Sequence, residues 1–222
     1  MPPMSGGEGK PRMTPRDGNL AERVELLGNV AGQRALNQRK LARQIGISVG
    51  LVNALVHRAV HKGLIKIKEA PARRYAYYLT PKGFAEKSRL VAEYLDVSLK
   101  FFRTARQEYG EEFVRCEAAG ERRIVLCGAG ELAEIATLAA NGMAIELVGI
   151  LDRETNHARV AGVPVIRDVE AIAPDAVLVI TDGRRPQEVY EQLVDAIGAE
   201  RVRAPSFLRV VPRTPRSASE AR

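Results

Sequence analysis

Apolar positions along the chain change their period near Gly120. Upstream they recur at helical spacing; downstream, short apolar runs alternate with helical stretches, the pattern of parallel β/α units. In the first half, Leu20, Val24, Leu27 and Val30 share one face of a helix predicted over residues 19–30. A second helix is expected over about 36–45 and stops at Gly46. Ser48 then stands where an N-cap belongs, and a third helix runs to Lys62 with Gly63 as its C′ residue. Two helices joined by Gly46-Ile47-Ser48 make a helix-turn-helix. Leu64-Ile65-Lys66-Ile67-Lys68 alternates apolar and basic, a turn with Pro71, Arg73 and Arg74 follows, and Tyr75-Ala76-Tyr77-Tyr78-Leu79 returns as the second strand of a hairpin.

Thr80-Pro81 supplies an N-cap and an N1 proline for a further helix, predicted to run to about residue 119. Val91, Leu95, Leu99, Phe102, Tyr109 and Phe113 recur along it. At ~1.5 Å per residue, ~25 to 36 residues are too long to be buried against one small domain. The stripe therefore either pairs with its copy in a second subunit or packs across the chain's own second half.

The third helix divides into two faces. Val52, Leu55, Val56 and Ala59 are spaced to pack inward, and Gly50, Asn53, Ala54, His57 and His61 fall opposite. Such an outer face suits the major groove, because Gly50 and Ala54 permit close approach and Asn53 would pair bidentately with adenine. The element order helix, helix, helix, hairpin, helix is that of a winged helix. In it Arg73 and Arg74 would reach a minor groove or phosphates, while Gln38, Arg39, Lys40 and Arg43 flank the backbone and Ser48 opens the reading helix. His57 and His61, at i, i+4 spacing, could chelate zinc, but no further ligand stands nearby, and contact with DNA or plain exposure suits them better.

Charge sharpens this reading. The net charge is +7, yet residues 1–120 hold 21 Lys and Arg against 12 Asp and Glu, and residues 121–222 hold 13 against 15. Within 31–82 there are eleven basic side chains and one acidic one, Glu69. A surplus of that size points to a polyanion, here double-stranded DNA. A solvated basic face, or a protein-binding module, is the plainer alternative. No apolar run approaches the ~18 residues of a membrane span, and the first twenty residues lack a signal segment. We therefore expect a cytoplasmic protein that does not engage a membrane. Cys116 and Cys127 are too few for a disulfide framework.

In the second half, a strand over 122–127 runs into Gly128-Ala129-Gly130-Glu131-Leu132-Ala133, a G-x-G-x-x-A turn that opens a helix. The next strand ends in Asp152, 22 residues after Gly130. A Rossmann unit keeps there the acid that binds ribose hydroxyls. Gly128 would allow the tight turn, Gly130 would let backbone approach phosphate, and the N–H groups of Ala129, Glu131 and Leu132 would face it. Glu131 complements the helix dipole but would repel a pyrophosphate, and Arg153 would favour a 2′-phosphate or another anion. Runs at 163–166, 176–181 and 202–204 extend the sheet, with a helix over 186–197. Thr181 and Asp182 end the fourth strand at the edge where such sheets bind ligands. No Tyr-x-x-x-Lys pair and no suitably placed histidine with a carboxylate occurs in this half, so catalysis is not expected.

The predicted organisation is a disordered arm over 1–18, an α+β winged helix-turn-helix over 19–82, a long linking or dimerisation helix over 83–119, an α/β Rossmann-like parallel sheet over 120–211 and a disordered tail over 212–222. The stretches LNQRKLARQIGIS, HKGLIKIK and YAYYLTPKGFAEK, with the Asn53 helix and Leu79-Thr80-Pro81-Lys82-Gly83 as their most specific parts, resemble MarR-type winged-helix regulators over about residues 20–115. They are most similar to a subgroup found with bacterial exopolysaccharide gene clusters. The resemblance implies a homodimer on a two-fold operator. VLCGAGELAEIA, LVGILDRE and GVPVI resemble the nucleotide-binding domains of polysaccharide-pathway acetyltransferases and epimerases and, more loosely, the NADH-binding domain of Rex-type repressors. That resemblance implies a nucleotide-sugar or NAD(H) as the small ligand. A transcriptional regulator sensing such a ligand is the leading expectation. The alternatives are a nucleotide-sugar or NAD-dependent enzyme with an accessory nucleic-acid-binding domain, and a regulator whose second domain is a ligand-free interaction surface.

Overall fold

The computed structural model describes residues 20–32, 38–70 and 74–213, apart from the side chains of residues 69, 70, 74 and 75. The arm expected over 1–18 and the tail beyond 213 lie outside the described residues, as does Arg73. The chain forms two compact units, residues 1–98 and 99–222.

The first unit holds α1 (Leu20–Gly32), α2 (Gln38–Ile45), α3 (Val49–His61), a hairpin of β1 (Ile65–Ala70) and β2 (Arg74–Leu79), and the start of α4 (Pro81–Ala118). Its core gathers Leu26, Leu27 and Val30 of α1, Leu41 of α2, the inward face of α3, Ile65, Tyr77 and Leu90. The inward residues of α3 are Val52, Leu55, Val56 and Ala59, as their spacing predicts. Gly46, in the left-handed region at φ +75°, lets the chain reverse between α2 and α3 without a Cβ penalty. The hairpin is antiparallel, with Ile65 opposite Leu79 and Ala70 opposite Arg74.

The Leu79-Thr80-Pro81-Lys82-Gly83 stretch acts as a clamp. Thr80 donates its hydroxyl to the Gly63 carbonyl at 2.6 Å, accepts from the Gly83 N–H at 3.0 Å, and donates its own N–H to the Leu64 carbonyl at 3.0 Å. It thus caps α4 and ties it to the chain that leaves α3.

The second unit is built on a six-stranded mixed sheet in the order β5-β6-β4-β3-β7-β8. The strands are β3 (Arg123–Cys127), β4 (Glu146–Leu151), β5 (Arg159–Val160), β6 (Val163–Ile166), β7 (Val177–Ile180) and β8 (Val202–Arg203). All neighbours are parallel except β5 and β6. The expected parallel sheet is corrected in that one respect: Ala161 and Gly162, both at positive φ, form a two-residue reversal that folds β5 back as a short antiparallel strand. Alternation along the strands separates two cores. Ile124, Leu126, Val177 and Val179 face α5 (Glu131–Ala140) and the C-terminal part of α4. Val125, Cys127, Leu178 and Ile180 face α6 (Pro186–Ile197).

The long helix serves both units in sequence. Ala105, Tyr109, Phe113 and Cys116 are fully buried in the sheet's core, whereas Leu95 and Leu99 are 52% and 53% exposed. The stripe read from the sequence is therefore two surfaces. One packs across the chain's own second unit, and the two units divide within α4.

Candidate nucleic-acid interface and ligand cleft

The face of α3 opposite its buried residues stands clear of the core, with Gly50, Asn53, Ala54, His57 and His61 all exposed. Ser48 caps the helix, its hydroxyl accepting from the Leu51 N–H at 3.2 Å. Arg39, Lys40 and Arg43 are exposed on α2, and Lys66 and Lys68 on β1. Arg74 opens β2, and its side chain is not among those described.

Gln38, expected beside the DNA backbone, has partners within the protein. It is half-buried, and its Nε2 donates to Asn53 Oδ1 at 3.2 Å and to the Tyr77 hydroxyl at 3.3 Å. Sequence periodicity has no means of pairing residues 15 and 39 positions apart; the tyrosine in an otherwise aliphatic core was the only signal. Among the described residues, no group of three or more His, Cys, Asp or Glu side chains converges to hold a metal ion.

In the second unit a cleft of about 620 Å³ opens at the C-terminal ends of β3, β4 and β7. Of the residues predicted to hold a ligand, Gly128, Asp152, Arg153 and Asp182 line it. Ala129, Gly130, Glu131, Leu132 and Thr181 are not among its walls. Two of these have structural work instead. The Leu132 side chain is buried in the sheet's core, and Thr181 donates its hydroxyl to the Gly128 carbonyl at 2.7 Å and its N–H to the Cys127 carbonyl at 2.8 Å. Beside Thr181, the buried Tyr109 hydroxyl donates to the Ile180 carbonyl at 3.0 Å, a link that helical spacing did not announce.

The glycines of the turn differ in kind. Gly128 sits at φ +112°, and a Cβ there would lie 2.7 Å from the Asp182 nitrogen. Gly130 has nothing within 4 Å of where a Cβ would stand, and it precedes α5 without a side-chain cap. The first turn of α5 therefore has no side-chain cap.

Asp152 organises the turn. Its Oδ2 accepts from the Ala129 N–H at 2.8 Å, and its Oδ1 accepts from the Glu154 and Thr155 N–H groups, each at 2.8 Å. Partial burial pushes the carboxyl up, but these three donors and the charge of Arg167 outweigh it and leave the pKa below the ordinary value. A depressed native pKa contributes stability that is present above the unfolded value and lost as pH falls through the folded one. In ¹⁵N NMR, the amide protons of Ala129, Glu154 and Thr155 are expected to titrate together below about pH 4. Independent midpoints for the three would count against a shared carboxylate.

The cleft is otherwise acidic. Asp152, Glu154, Glu170, Asp182 and Glu188 line it against Arg153 and Arg185, and Arg185 bonds Glu154 at 2.7 Å.

No protein-family model matches the chain, and no curated protein matches it in sequence. Among solved structures it is similar to the PcaV transcriptional regulator from Streptomyces coelicolor in complex with its natural ligand, at 22% identity over 36% of this chain and 59% of that one, with a TM-score of 0.34. It is also similar to MepR, a transcription regulator of the Staphylococcus aureus multidrug efflux pump MepA, at 21% identity over 36% and 61% of the two chains, with a TM-score of 0.32. A MarR transcriptional regulator from Methanosarcina mazei Go1 matches at 18% identity over 36% and 60%, with a TM-score of 0.30. The likeness covers about a third of this chain and about three-fifths of each of these regulators.

Proposed function

We propose that this protein is a DNA-binding transcriptional regulator whose second unit senses a nucleotide-type ligand. The observation that carries the first part is the exposed face of α3. Small residues at Gly50 and Ala54, with the amide of Asn53 between them, stand beside the basic side chains of α2 and β1. Small residues let a helix enter a major groove, an amide reads base edges, and flanking cations hold the phosphates. In this reading Arg39, Lys40, Arg73 and Arg74 contact the backbone and Ser48, Gly50, Asn53 and His57 face the bases.

The second part rests on topology and on the glycine turn. β4 and β7 lie on opposite sides of β3, so their crossovers diverge above it, and Rossmann-like sheets bind ligands at such a switch point. A nucleotide-sugar or NAD(H) would place its ribose against Asp152 and its phosphate at the uncapped first turn of α5 beside Gly130. Oδ2 of Asp152 keeps one lone pair for a hydroxyl, while Oδ1 already accepts two bonds. The five carboxylates of the cleft favour the hydroxyl-rich or amino-bearing part of a ligand over its phosphates. The chain acts in the cytoplasm as a homodimer joined through the exposed Phe84, Tyr94, Leu95 and Val97 of α4, on polysaccharide-related genes, and without catalysis. Ligand binding shifts the balance between two dimer states that space the reading helices differently.

A second reading, in which the sheet unit binds a protein partner and no nucleotide, draws on the Ala129 N–H, already satisfied by Asp152. Two measurements test the proposal, and the second separates these readings. The full chain is expected to bind duplex DNA from its own promoter region with an affinity that falls steeply from 50 to 200 mM salt; no binding at low salt overturns the regulator. Melting in NADH, NAD or a UDP-sugar is expected to rise, by ~2.7 kcal/mol of stability at 100 times Kd. No rise with any of them favours the ligand-free reading.

A further inference from the structure

Side chains from three elements meet behind the reading face of α3. Gln38, the first residue of α2, donates from Nε2 both to Asn53 Oδ1 (3.2 Å) and to the hydroxyl of Tyr77 on β2 (3.3 Å). A primary amide nitrogen carries two protons, so both are engaged. Tyr77 is 5% exposed and belongs to the core; it is a fixed anchor, not a mobile surface group. The anchor orients Gln38, and Gln38 orients Asn53. The asparagine oxygen is turned to the protein, and Nδ2, with its two N–H donors, is left for the groove.

This matters for readout. Asparagine recognises adenine with both ends of its amide, accepting from N6 and donating to N7. An Asn53 whose oxygen bonds Gln38 has one acceptor site occupied and presents both Nδ2 donors. Of the two purines, guanine presents two acceptors on its major-groove edge, N7 and O6, whereas adenine sets its N6 amino group beside N7. We propose that Gln38 is a specificity-determining positioning residue that sets Asn53 to read guanine rather than adenine. The inference rests on the DNA-reading role of α3 proposed above and replaces the adenine contact expected from the sequence.

Selection from a randomised duplex pool with the full chain tests it, using the wild type, Asn53→Ala, Gln38→Ala and Gln38→Glu. Wild type is expected to enrich guanine at one position of each half-site, and Asn53→Ala to lose that preference. Gln38→Ala frees the amide to rotate, and the preference at that position moves to adenine. Glutamate at position 38 can only accept, so it draws Nδ2 inward and turns Oδ1 outward. Gln38→Glu then favours a base with an amino group, cytosine or adenine, at weaker overall affinity because of the added charge. Each switch is expected to change relative enrichment about tenfold. A merely structural role for Gln38 would weaken binding without changing the base preferred. Adenine at the Asn53-dependent position of the wild type overturns the proposal, as does an unchanged base in both Gln38 variants. Enrichment with no position sensitive to Asn53 overturns it while leaving DNA binding intact. No enrichment by the wild type overturns the DNA-reading role, and this inference with it.

Discussion

Replacing Gly128 by alanine is expected to destabilise the sheet unit by ~3 to 5 kcal/mol, a large part of the ~5 to 15 kcal/mol that holds an ordinary domain together. Two costs combine. The backbone at φ +112° is one that L side chains rarely adopt, and the new Cβ would lie 2.7 Å from the nitrogen and 2.8 Å from the Cα of Asp182. Both obstacles are main-chain atoms at the end of β7, so relief requires β3 and β7 to part. Parting them also breaks the bond between the Thr181 hydroxyl and the Gly128 carbonyl. Segment-resolved hydrogen exchange on the full chain checks this: protection of β3 and β7 amides should fall by about two to four decades. Gly130→Ala is the matched control. Its Cβ meets nothing within 4 Å and its φ is −93°, so its cost should stay within ~1 kcal/mol. Equal effects at the two positions would mean that the Asp182 main chain does not constrain Gly128.

Gly83→Ala is expected to cost the first unit ~3 kcal/mol, although the same change in an exposed helix interior normally stabilises by ~1 kcal/mol. The opposing effect is local. A Cβ on Gly83 would lie 2.1 Å from the Leu64 carbonyl oxygen and 3.1 Å from Leu79 Cδ2. That oxygen accepts from the Thr80 N–H at 3.0 Å, so pushing it away also unfastens the cap of α4. Urea unfolding followed by far-UV circular dichroism, with exchange protection in α3 and β1 as the local readout, measures the balance. A gain in stability of the size of the propensity effect would show that α4 can move off Leu64 freely.

Local physics explains why much of the fold was legible beforehand. An amphipathic helix carries its buried side in its own 3.6-residue period, which is why Val52, Leu55, Val56 and Ala59 separated correctly from Gly50, Asn53 and His57. Ser48, Gly46 and Thr80 announced helix ends through chemistry within three residues of themselves. The strands over 123–127 and 177–180 were legible as short apolar runs between turns.

The candidate sites were legible only as residue types. The spacing from Gly130 to Asp152 marked an acid for a ligand, yet the folded chain engages that carboxylate with three of its own N–H groups. Leu132 and Thr181 stood in a ligand motif, and packing turned both to the support of the sheet. The long helix showed one apolar stripe, and which stretch of it was covered depended on whether a sheet lay beside it. Tyr109 and Phe113 found one; Leu95 did not.

By itself, then, the sequence determined the elements, their inward faces and the concentration of positive charge before Gly120, because each of these follows from interactions between residues a few positions apart. Only the tertiary structure decided which polar groups answer one another. Gln38 with Asn53 and Tyr77, Tyr109 with the end of β7, and Thr181 with Gly128 are pairs formed across 15 to 71 positions. A hydrogen bond needs its partners within about 3.5 Å and suitably aligned, and no periodicity along a chain encodes that meeting.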